Sequence, residues 1–385
     1  MVNCTILNFE SYDLLKAFPS GVTKGIPGST VVLKPNLATI APVSFTRLEV
    51  ILALGRVFSE EGFEVFVAEG LPPQVPGYAE RVIKKTGYDA LPFKFIDLED
   101  EPGEVIQLPN FLGQPIVEEI VVPKLLMDED VSVINVPKLK THLMVMFTGA
   151  IKNVGMGMIK QYTKAKIHAT AGHNFKMLAK SLVEVYLALK ERIPLTVIDA
   201  IESMTGNGPT HGKKLHTGKI LYGEDAAIMD VLLATMMGMQ DAPIPTVLRE
   251  HELVPDSKQI VVEGNLESFT FQPPSTYRSG LEARIGSFLD PENWLSIKLS
   301  SFSIDRSWYS LKINQELCER CDSCLNRCPS DAIRHKSVEL QIDDSRCVRC
   351  LCCKEMCPND AVEIHRPLSG LTNLAYKLLI KLGLF

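Results

Sequence analysis

The sequence lacks the features that would place it in a membrane or on nucleic acid. None of its apolar runs approaches the roughly 18 residues that a bilayer-spanning helix requires. Its first residues have neither the basic segment nor the long apolar segment of a signal peptide. The formal net charge of −6 provides no global basic field for nucleic acid. These absences predict a cytoplasmic protein with no transmembrane segment and no nucleic-acid partner.

Cysteine is scarce over most of the chain and dense in one short segment. Of ten cysteines, nine lie between Cys318 and Cys357. The disulfides of a secreted domain would be spread more widely, so this clustering in a cytoplasmic chain indicates metal binding. Cys4 stands alone beside an apolar stretch and is expected to be a buried, unreactive thiol.

The cysteine-rich segment repeats itself with a shift of 29 residues, and each copy contains the spacing C-x2-C-x2-C-x3-C-P. In this spacing one loop supplies three thiolates to a [4Fe–4S] cluster, and the fourth cysteine, followed by proline, binds the other cluster. A zinc site would need four ligands in separated pairs, and two complete tandem copies argue against it. The predicted ligands are Cys318, Cys321, Cys324 and Cys357 for one cluster, and Cys347, Cys350, Cys353 and Cys328 for the other.

Two features of this segment leave alternatives open. Cys352 precedes a ligand and is expected to have no role, the alternative being a thiol that senses oxidants or exchanges with a ligand. Four arginines lie among the ligands, where positive charge would raise the cluster potential and favour an acidic donor. They could equally be paired with neighbouring carboxylates. These arginines are Arg320, Arg327, Arg346 and Arg349.

Residues 311–367 resemble a bacterial-type two-cluster ferredoxin, on the two motifs given above. The resemblance implies transfer of single electrons at low potential between a donor and an acceptor. Because a large domain precedes this segment, we expect one end of the electron path to face that domain.

Residues 28–250 alternate short β-branched runs with longer runs of helical periodicity. The first unit is a strand over 29–34, a helix over 47–61 that ends at Gly62, and a strand over 63–68. Such a unit needs a right-handed crossover, which favours parallel pairing. The repetition predicts the α/β class, with an open, mostly parallel sheet and helices on both faces. Further strands are predicted over 130–136, 194–199, 219–222 and 258–263, and further helices over 173–192 and 226–239.

Unusual polar residues follow several of these strands. Lys34 and Asn36 end the first one, and residues 135–142 follow another. Ligands of open α/β sheets bind outside the carboxyl ends of the strands, and lysines beside glycine-rich turns suit a carboxylate or a phosphate. Neither G-x-G-x-x-G nor a Walker lysine motif is present, which disfavours standard dinucleotide and nucleoside-triphosphate sites. The sequence therefore predicts a small anionic substrate or cofactor.

These segments resemble the family called domain of unknown function 362, which is often fused to a ferredoxin module. The resemblance covers residues 28–265 and rests on residues 34–36, 135–142, 149–153 and 206–209. It implies a two-part architecture in which these segments form one pocket. The predicted catalytic residues are His142 and Lys152, and the predicted substrate-binding residues are Lys34, Asn36, Lys138, Lys140 and Asn153.

Several of these residues have a structural alternative. Lys138 and Lys140 could be solvent-exposed loop charges, and His142 could be a satisfied residue of the pocket wall. Asp199, at a strand end, is expected to cap a turn rather than to hold a cofactor hydroxyl. Histidine-bound metal is disfavoured because no acidic or sulfur partner is suitably spaced; the histidines concerned are His142, His168 and His173.

Four segments are predicted: an α/β domain over 1–265, a connector over 266–310, a ferredoxin-like domain over 311–367 and an amphipathic helix over 368–385. We expect that helix to pack on the protein itself or on a partner subunit rather than on a membrane.

The leading hypothesis is an iron–sulfur oxidoreductase. A low-potential donor protein would supply electrons, and an anionic substrate or cofactor would be reduced in the lysine-rich pocket, with His142 as proton donor. The alternatives are a non-catalytic electron-transfer subunit and a maturation factor that loads or reduces a cofactor on another protein. No motif supports a flavin, although flavin sites often lack a short signature.

Overall fold

The computed structural model describes residues 2–8, 18, 21–37, 39–71, 77–113, 116–255, 259–277 and 309–365. The chain divides into two compact units, Met1–Pro274 and Ser275–Phe385. The helix predicted over 368–385 and most of the predicted connector lie outside the described residues. Within the described ranges, no helix combines the length and apolar character that crossing a membrane requires.

The described part of the first unit contains twelve strands and seven α-helices. The strands are β1 (Val2–Asn8), β2 (Thr30–Pro35), β3 (Glu64–Glu69), β4 (Lys94–Asp97), β5 (Gly103–Gln107), β6 (Glu119–Pro123), β7 (Val131–Val136), β8 (Lys138–His142), β9 (Met146–Thr148), β10 (Leu195–Asn207), β11 (His211–Gly223) and β12 (Ile260–Glu263). The helices are α1 (Leu48–Glu60), α2 (Tyr78–Thr86), α3 (Ala150–Gly157), α4 (Gln161–Ala171), α5 (Phe175–Leu189), α6 (Ala226–Met237) and α7 (Pro243–Glu250).

Ten of these strands form one sheet, with the order β12-β1-β11-β10-β7-β2-β3-β4 and with β8 and β9 extending from β10; β5 and β6 form a separate hairpin. The stretch from β10 to β4 is parallel throughout. The chain moves outward from β2 to β3 and β4 in one direction, and from β7 to β10 in the other. Right-handed crossovers in opposite directions put their helices on opposite faces. The predicted α/β class and mostly parallel sheet are confirmed.

The central elements correspond to the sequence predictions. Strands β2, β3 and β7 and helices α1, α5 and α6 lie within a few residues of their predicted bounds. The apolar side of α1 is buried, and the helix is followed by Gly62, whose φ of 92° suits glycine. Buried apolar stripes and helix-ending glycines are strong local signals, which explains the agreement.

Two elements differ from the predictions. The strands predicted over 194–199 and 219–222 are the inner halves of β10 and β11, which form a long antiparallel hairpin. The outer halves are polar and rich in glycine, so they have no apolar pattern to reveal them. Residues 138–142, expected as a polar segment after a strand, form the fully buried strand β8, which pairs with β10.

The first unit extends past residue 265, the predicted end of the α/β domain. The backbone N–H of Phe269 donates to the carbonyl of Met236 at 2.8 Å, and Gly206 N–H donates to the carbonyl of Gln272 at 2.9 Å. Residues 266–274 therefore bind to the sheet domain. The sequence did not predict this, because the stretch 255–274 contains three prolines and has no helical or strand periodicity.

The second unit contains two copies of a strand–helix–strand motif. Its described elements are β13 (Ser310–Ile313), α8 (Ser323–Asn326), β14 (Ile333–Lys336), β15 (Glu339–Ile342), α9 (Cys352–Met356) and β16 (Val362–His365). The strands of the second copy follow those of the first by 29 residues. The copies exchange strands, because β13 pairs with β16 and β14 pairs with β15. Neither copy contains a sheet of its own.

The repeat extends to the backbone conformation of the loops. Left-handed φ values occur in pairs 29 residues apart: Arg320 and Arg349, Asp322 and Leu351, and Asp331 and Asp360. Non-glycine residues adopt this conformation rarely, so its recurrence shows that both cysteine loops follow the same path.

Candidate functional site

The polar residues of the first unit meet where the strand order reverses. Lys34 lies near the end of β2, and Asn36 directly follows that strand. Asn135 lies near the end of β7, the neighbouring strand, where it is opposite Lys34. This reversal point, at the carboxyl ends of β2 and β7, is where ligands of open α/β sheets bind. The predicted site residues are therefore placed at the sheet edge that the fold class favours for a ligand.

Lys34 is the centre of a buried network, with no exposed surface. Its ammonium group lies 2.8 Å from a carboxylate oxygen of Glu69, which ends β3, and donates to the carbonyl of Pro35 at 2.7 Å. Burial lowers the pKa of Lys34, whereas Glu69 acts to raise it. The other Glu69 contacts are N–H donations from Leu37 and Gly70, so this carboxylate ties the ends of β2 and β3 together.

Asn153 links Lys34 to the second polar segment. Its Oδ1 accepts from Asn36 Nδ2 at 2.9 Å and from Lys34 Nζ at 3.3 Å. Its Nδ2 donates to Asn135 Oδ1 at 2.9 Å. Lys140 completes the chain by donating to Asn36 Oδ1 at 2.7 Å. Four of the predicted residues, together with Asn135, thus form one continuous hydrogen-bonded group.

Lys138 lies apart from this group. Its ammonium forms a buried ion pair with Asp199 at 2.8 Å, and both side chains are almost completely inaccessible. Asp199 also accepts from the backbone N–H of Arg47 at 2.8 Å, which fixes the residue just before α1. Since Lys138 and Lys140 are 0% and 2% exposed, the alternative of solvent-exposed loop charges is wrong.

The two predicted catalytic residues lie in a field of positive charge. His142 is fully buried, and its Nδ1 accepts from the backbone N–H of Met144 at 3.2 Å. Burial holds the pKa of His142 well below its usual range, and Lys152, Lys140 and His168 lower it further. The ring is therefore neutral at pH 7, with its proton on Nε2. Lys152 is only partly buried, unlike the three lysines on the strands.

Helix α3 carries both Lys152 and Asn153, and its start is fixed by a buried carboxylate. Asp230 on α6 accepts from the backbone N–H of Ala150 at 2.6 Å and of Ile151 at 3.1 Å. Burial raises the pKa of Asp230 to about 7, although those N–H groups oppose the rise. A Cβ on Gly149 would overlap with this carboxylate, and one on Gly157 would overlap with Lys34. Small residues at both ends therefore let α3 approach the network.

The structure brings His168 into the electrostatic environment of His142, whereas His173 lies beyond α4, between that helix and α5. In the described ranges, no group of three or more histidine, cysteine or acidic side chains is arranged to hold a single metal ion. The cysteine sets of the second unit surround larger cavities, of a size for a cluster rather than for one ion.

The predicted cysteine ligands of the second unit surround two cavities. One has an empty volume of about 330 Å³ and is lined by Cys318, Cys321, Cys324 and Cys357. The other has an empty volume of about 280 Å³ and is lined by Cys328, Cys347, Cys350 and Cys353. The chain crossing therefore brings the fourth cysteine of each motif to the three cysteines of the other copy. Cys352 begins α9 and lines neither cavity.

The donor sets suit an iron–sulfur group. Each cavity offers four thiols, the ligands of a [4Fe–4S] cluster, within walls that are otherwise largely apolar. Backbone N–H groups are directed at two of the sulfurs: Ala332 donates to Cys328 Sγ and Ala361 to Cys357 Sγ, both at 3.2 Å. Hydrogen bonds to ligand sulfurs are among the factors that set cluster potentials.

Comparisons with known proteins agree with both units. A family-wide sequence model described as domain of unknown function (DUF362) matches residues 31–235, and one described as a 4Fe-4S dicluster domain matches residues 310–358. A thylakoid-associated protein of Synechocystis sp. is 30% identical over 236 residues, which are 59% of this chain and 68% of that protein. No solved structure gives a significant match.

The second unit is therefore a ferredoxin-like domain that binds [4Fe–4S] and serves iron–sulfur electron transfer. The chain as a whole belongs to the family of proteins with the domain of unknown function 362, and the resemblance seen in the sequence is confirmed.

Several residues of the site did not stand out in the sequence. Glu69 on β3 and Asp230 on α6 are distant in the sequence from the residues that they bind, and neither belongs to a recognisable motif. Asn135 and Asp199 were visible as polar residues at strand ends, and that position was the usable signal. The carboxylates opposite Lys34 and Lys138 could have been expected, because lysine is almost never fully buried unless it is paired.

Proposed function

We propose that the protein is an oxidoreductase that takes single electrons from a low-potential donor protein and reduces a small anionic substrate or cofactor in the α/β unit. Two [4Fe–4S] clusters, one in each cysteine-lined cavity, supply the one-electron chemistry when bound. The observation that carries the proposal is the presence, in one chain, of a dicluster domain and a lysine-rich site at the sheet reversal.

The charges of that site support an anionic ligand. Five lysines act there, with three carboxylates opposite them; they are Lys34, Lys138, Lys140, Lys152 and Lys164, and Glu69, Glu99 and Asp199. Burial is the main cause of the lowered pKa of Lys34, and repulsion from the charges of Lys164 and Lys152 lowers it further. An anion bound among them would relieve this repulsion.

The burial of the residues supports different proposed roles for them. Lys34, Asn36, Lys138, Lys140 and Asn153 are buried and bound to protein groups, so in the proposed site they provide the positive field and its geometry. Lys152 is more accessible and would contact the anion. His142 is neutral at pH 7, so it would act by donating a hydrogen bond from Nε2 rather than as a cationic acid.

Metal content tests the first part of the proposal. Anaerobically purified protein should contain about eight irons per chain, because two four-iron clusters are expected. Cys353→Ser should lose about half of this iron, whereas Cys352→Ser, its neighbour outside the cavities, should keep all of it. Equal iron in both variants would contradict the ligand sets.

Retained small molecules test the second part. We expect mass spectrometry of the anaerobic protein to find a bound anion, which Lys152→Ala loses and Lys166→Ala, an exposed change on α4, retains. Adding that compound to dithionite-reduced protein should reoxidise the clusters. In Lys152→Ala this reoxidation should be at least about tenfold slower, because a lost contact worth about 1.4 kcal/mol to the transition state slows a reaction tenfold. A flavin found instead would identify the acceptor.

A non-catalytic electron-transfer subunit or a maturation factor is the second candidate. The complete burial of Lys34, Lys138 and Lys140 favours it, because a network satisfied by its own chain can serve as a framework alone. It predicts no retained small molecule, no reoxidation by anions, and co-purification with a partner enzyme. A cytoplasmic location is likewise proposed, and recovery in the membrane fraction, which the name of the Synechocystis relative would favour, would contradict it.

A further inference from the structure

The two cysteine loops of the ferredoxin-like domain differ in exposure, although the repeat makes them equivalent in sequence. Cys321 is exposed, whereas its counterpart Cys350 is 6% exposed. Arg320 is exposed, whereas its counterpart Arg349 is also 6% exposed. The first loop, residues 318–324, is therefore more exposed to solvent than the second loop, residues 347–353, and the difference is largest at its first half.

Tyr309 accounts for part of this difference. Its hydroxyl donates to the backbone carbonyl of Arg349 at 2.9 Å and so covers the second loop. The residue at the equivalent position of the other copy is Val338, which has no donor and is 67% exposed. The first loop therefore has no equivalent cover from the repeat.

The surface beside the first loop combines an apolar residue with basic ones and with the exposed acidic residues Glu316 and Glu319. Leu317 is 48% exposed, and its carbonyl accepts from Asn359 Nδ2 at 3.3 Å. Strand β14 presents exposed Arg334, His335 and Lys336. It is tied to the loop because His335 Nε2 lies 3.1 Å from Asp322 Oδ1.

The charge of the domain is distributed in the same sense. Residues 310–338 contain five basic residues (lysine or arginine) and four acidic ones. Residues 339–365 contain three basic residues and six acidic ones. An acidic protein would therefore be drawn to the first half and repelled by the second.

We propose that the first cysteine loop, with Leu317, Arg320 and β14, is the docking surface for an acidic protein that carries one electron. The exchange moves one electron between that protein and the group held by the exposed cysteine set, with no proton or bond involved. Exposure of a ligand at the surface shortens the approach, and the basic residues orient the partner. The inference rests on the proposed cluster binding.

The first experiment measures exposure directly, on the anaerobically prepared, reduced full-length protein. A soluble dysprosium chelate is added, and the EPR signals of the two clusters are compared. Cys321→Ser and Cys350→Ser assign each signal to its cysteine set. If a serine variant loses its cluster, Tyr309→Phe assigns the second set, because it removes the hydrogen bond to the second loop.

We expect the signal of the Cys321 set to be broadened several-fold more than the other. Equal broadening, or stronger broadening of the Cys350 set, would overturn the proposal.

The second experiment measures docking, with a purified acidic flavodoxin in its hydroquinone form as the probe. Arg320→Glu is compared with Arg346→Glu, the same charge change at an exposed position beside the second loop. We expect Arg320→Glu to slow cluster reduction at low salt by about tenfold and Arg346→Glu by less than about twofold, with the difference lost at high salt, where charges are screened. Equal effects, or a larger effect of Arg346→Glu, would refute the surface. Iron content distinguishes failure of the docking surface from failure of cluster binding. A protein that holds clearly fewer than about eight irons per chain contradicts the proposed function itself.

Discussion

Lys138 and Asp199 form a buried ion pair, and removal of the lysine should destabilise the protein. Lys138→Met would leave Asp199 charged, buried and without its cation, which costs about 3–5 kcal/mol of unfolding free energy. Urea unfolding of the α/β unit, followed by circular dichroism, would measure this. Lys213→Met on β11 is the matched control, because Lys213 is exposed, and it should change stability by less than about 0.5 kcal/mol. Similar losses in both variants would contradict the assignment.

Asp230 should make stability depend on pH. Burial raises the pKa of Asp230 from 3.8 to about 7 in the folded protein. Between these values the folded state binds more protons than the unfolded state, so the free energy of unfolding falls as pH rises from about 4 to 7. Asp230→Asn, which cannot ionise, should remove this part of the slope.

The measurement is a series of urea titrations from pH 4.5 to 7.5 on both proteins. The wild type should lose stability relative to Asp230→Asn by an amount of order 1 kcal/mol or more, since one pKa unit corresponds to about 1.4 kcal/mol. Parallel pH profiles would show that Asp230 has an ordinary pKa.

Helix α3 depends on the close fit between Gly149 and Asp230. Gly149→Ala should displace the carboxylate from the Ala150 and Ile151 N–H groups and destabilise the α/β unit by about 1–3 kcal/mol. In Asp230→Ala the same change should cost much less, because the overlapping group is gone. A double-mutant cycle by urea unfolding tests this, and additive effects would contradict the fit.

The strands that position the site were largely predictable, and the reason is their burial. Strands β2, β3 and β7 are buried on both sides of a parallel sheet, so they appear as short, nearly continuous apolar runs. Strand β8 has the sequence Lys-Leu-Lys-Thr-His, which has no such run, yet all five residues are buried. Its burial depends on partners that are distant in the sequence. These are strand β10, with which it pairs, and the carbonyl of Ser44 before α1, which accepts from Lys140.

The residues of the site were predictable by type and place, but their partners were not. Lys34, Asn36 and Asn153 were identified as polar residues near strand ends, and the structure joins them. Glu69 was not identified, because in the sequence it is an ordinary polar residue directly after the strand predicted over 63–68. Long-range pairing of a lysine with a particular carboxylate depends on strand order, which β2 and β3 acquire only in the folded sheet.

The division into two units predicts separate responses to loss of iron. Chelation under anaerobic conditions should unfold residues 309–365, because small metal-bound domains depend on their metal for folding. Hydrogen exchange should rise throughout those residues and stay unchanged in β2 and β7 of the first unit. Mass spectrometry of proteolysed samples would measure both regions in one experiment. Loss of protection in β7 would show that the units unfold together.

The strand exchange in the second unit also has a consequence for biosynthesis. Among the described residues, strand β13 pairs only with β16, and Cys357 is the fourth cysteine of the cavity lined by Cys318. A ribosome must therefore translate almost the whole of the second copy before β13 has its neighbouring strand and before the Cys318 cavity has its fourth thiol. Iron–sulfur assembly on a nascent chain would have to wait for residue 353 in one cavity and for residue 357 in the other. A transcript truncated between the copies would yield a product that can complete neither.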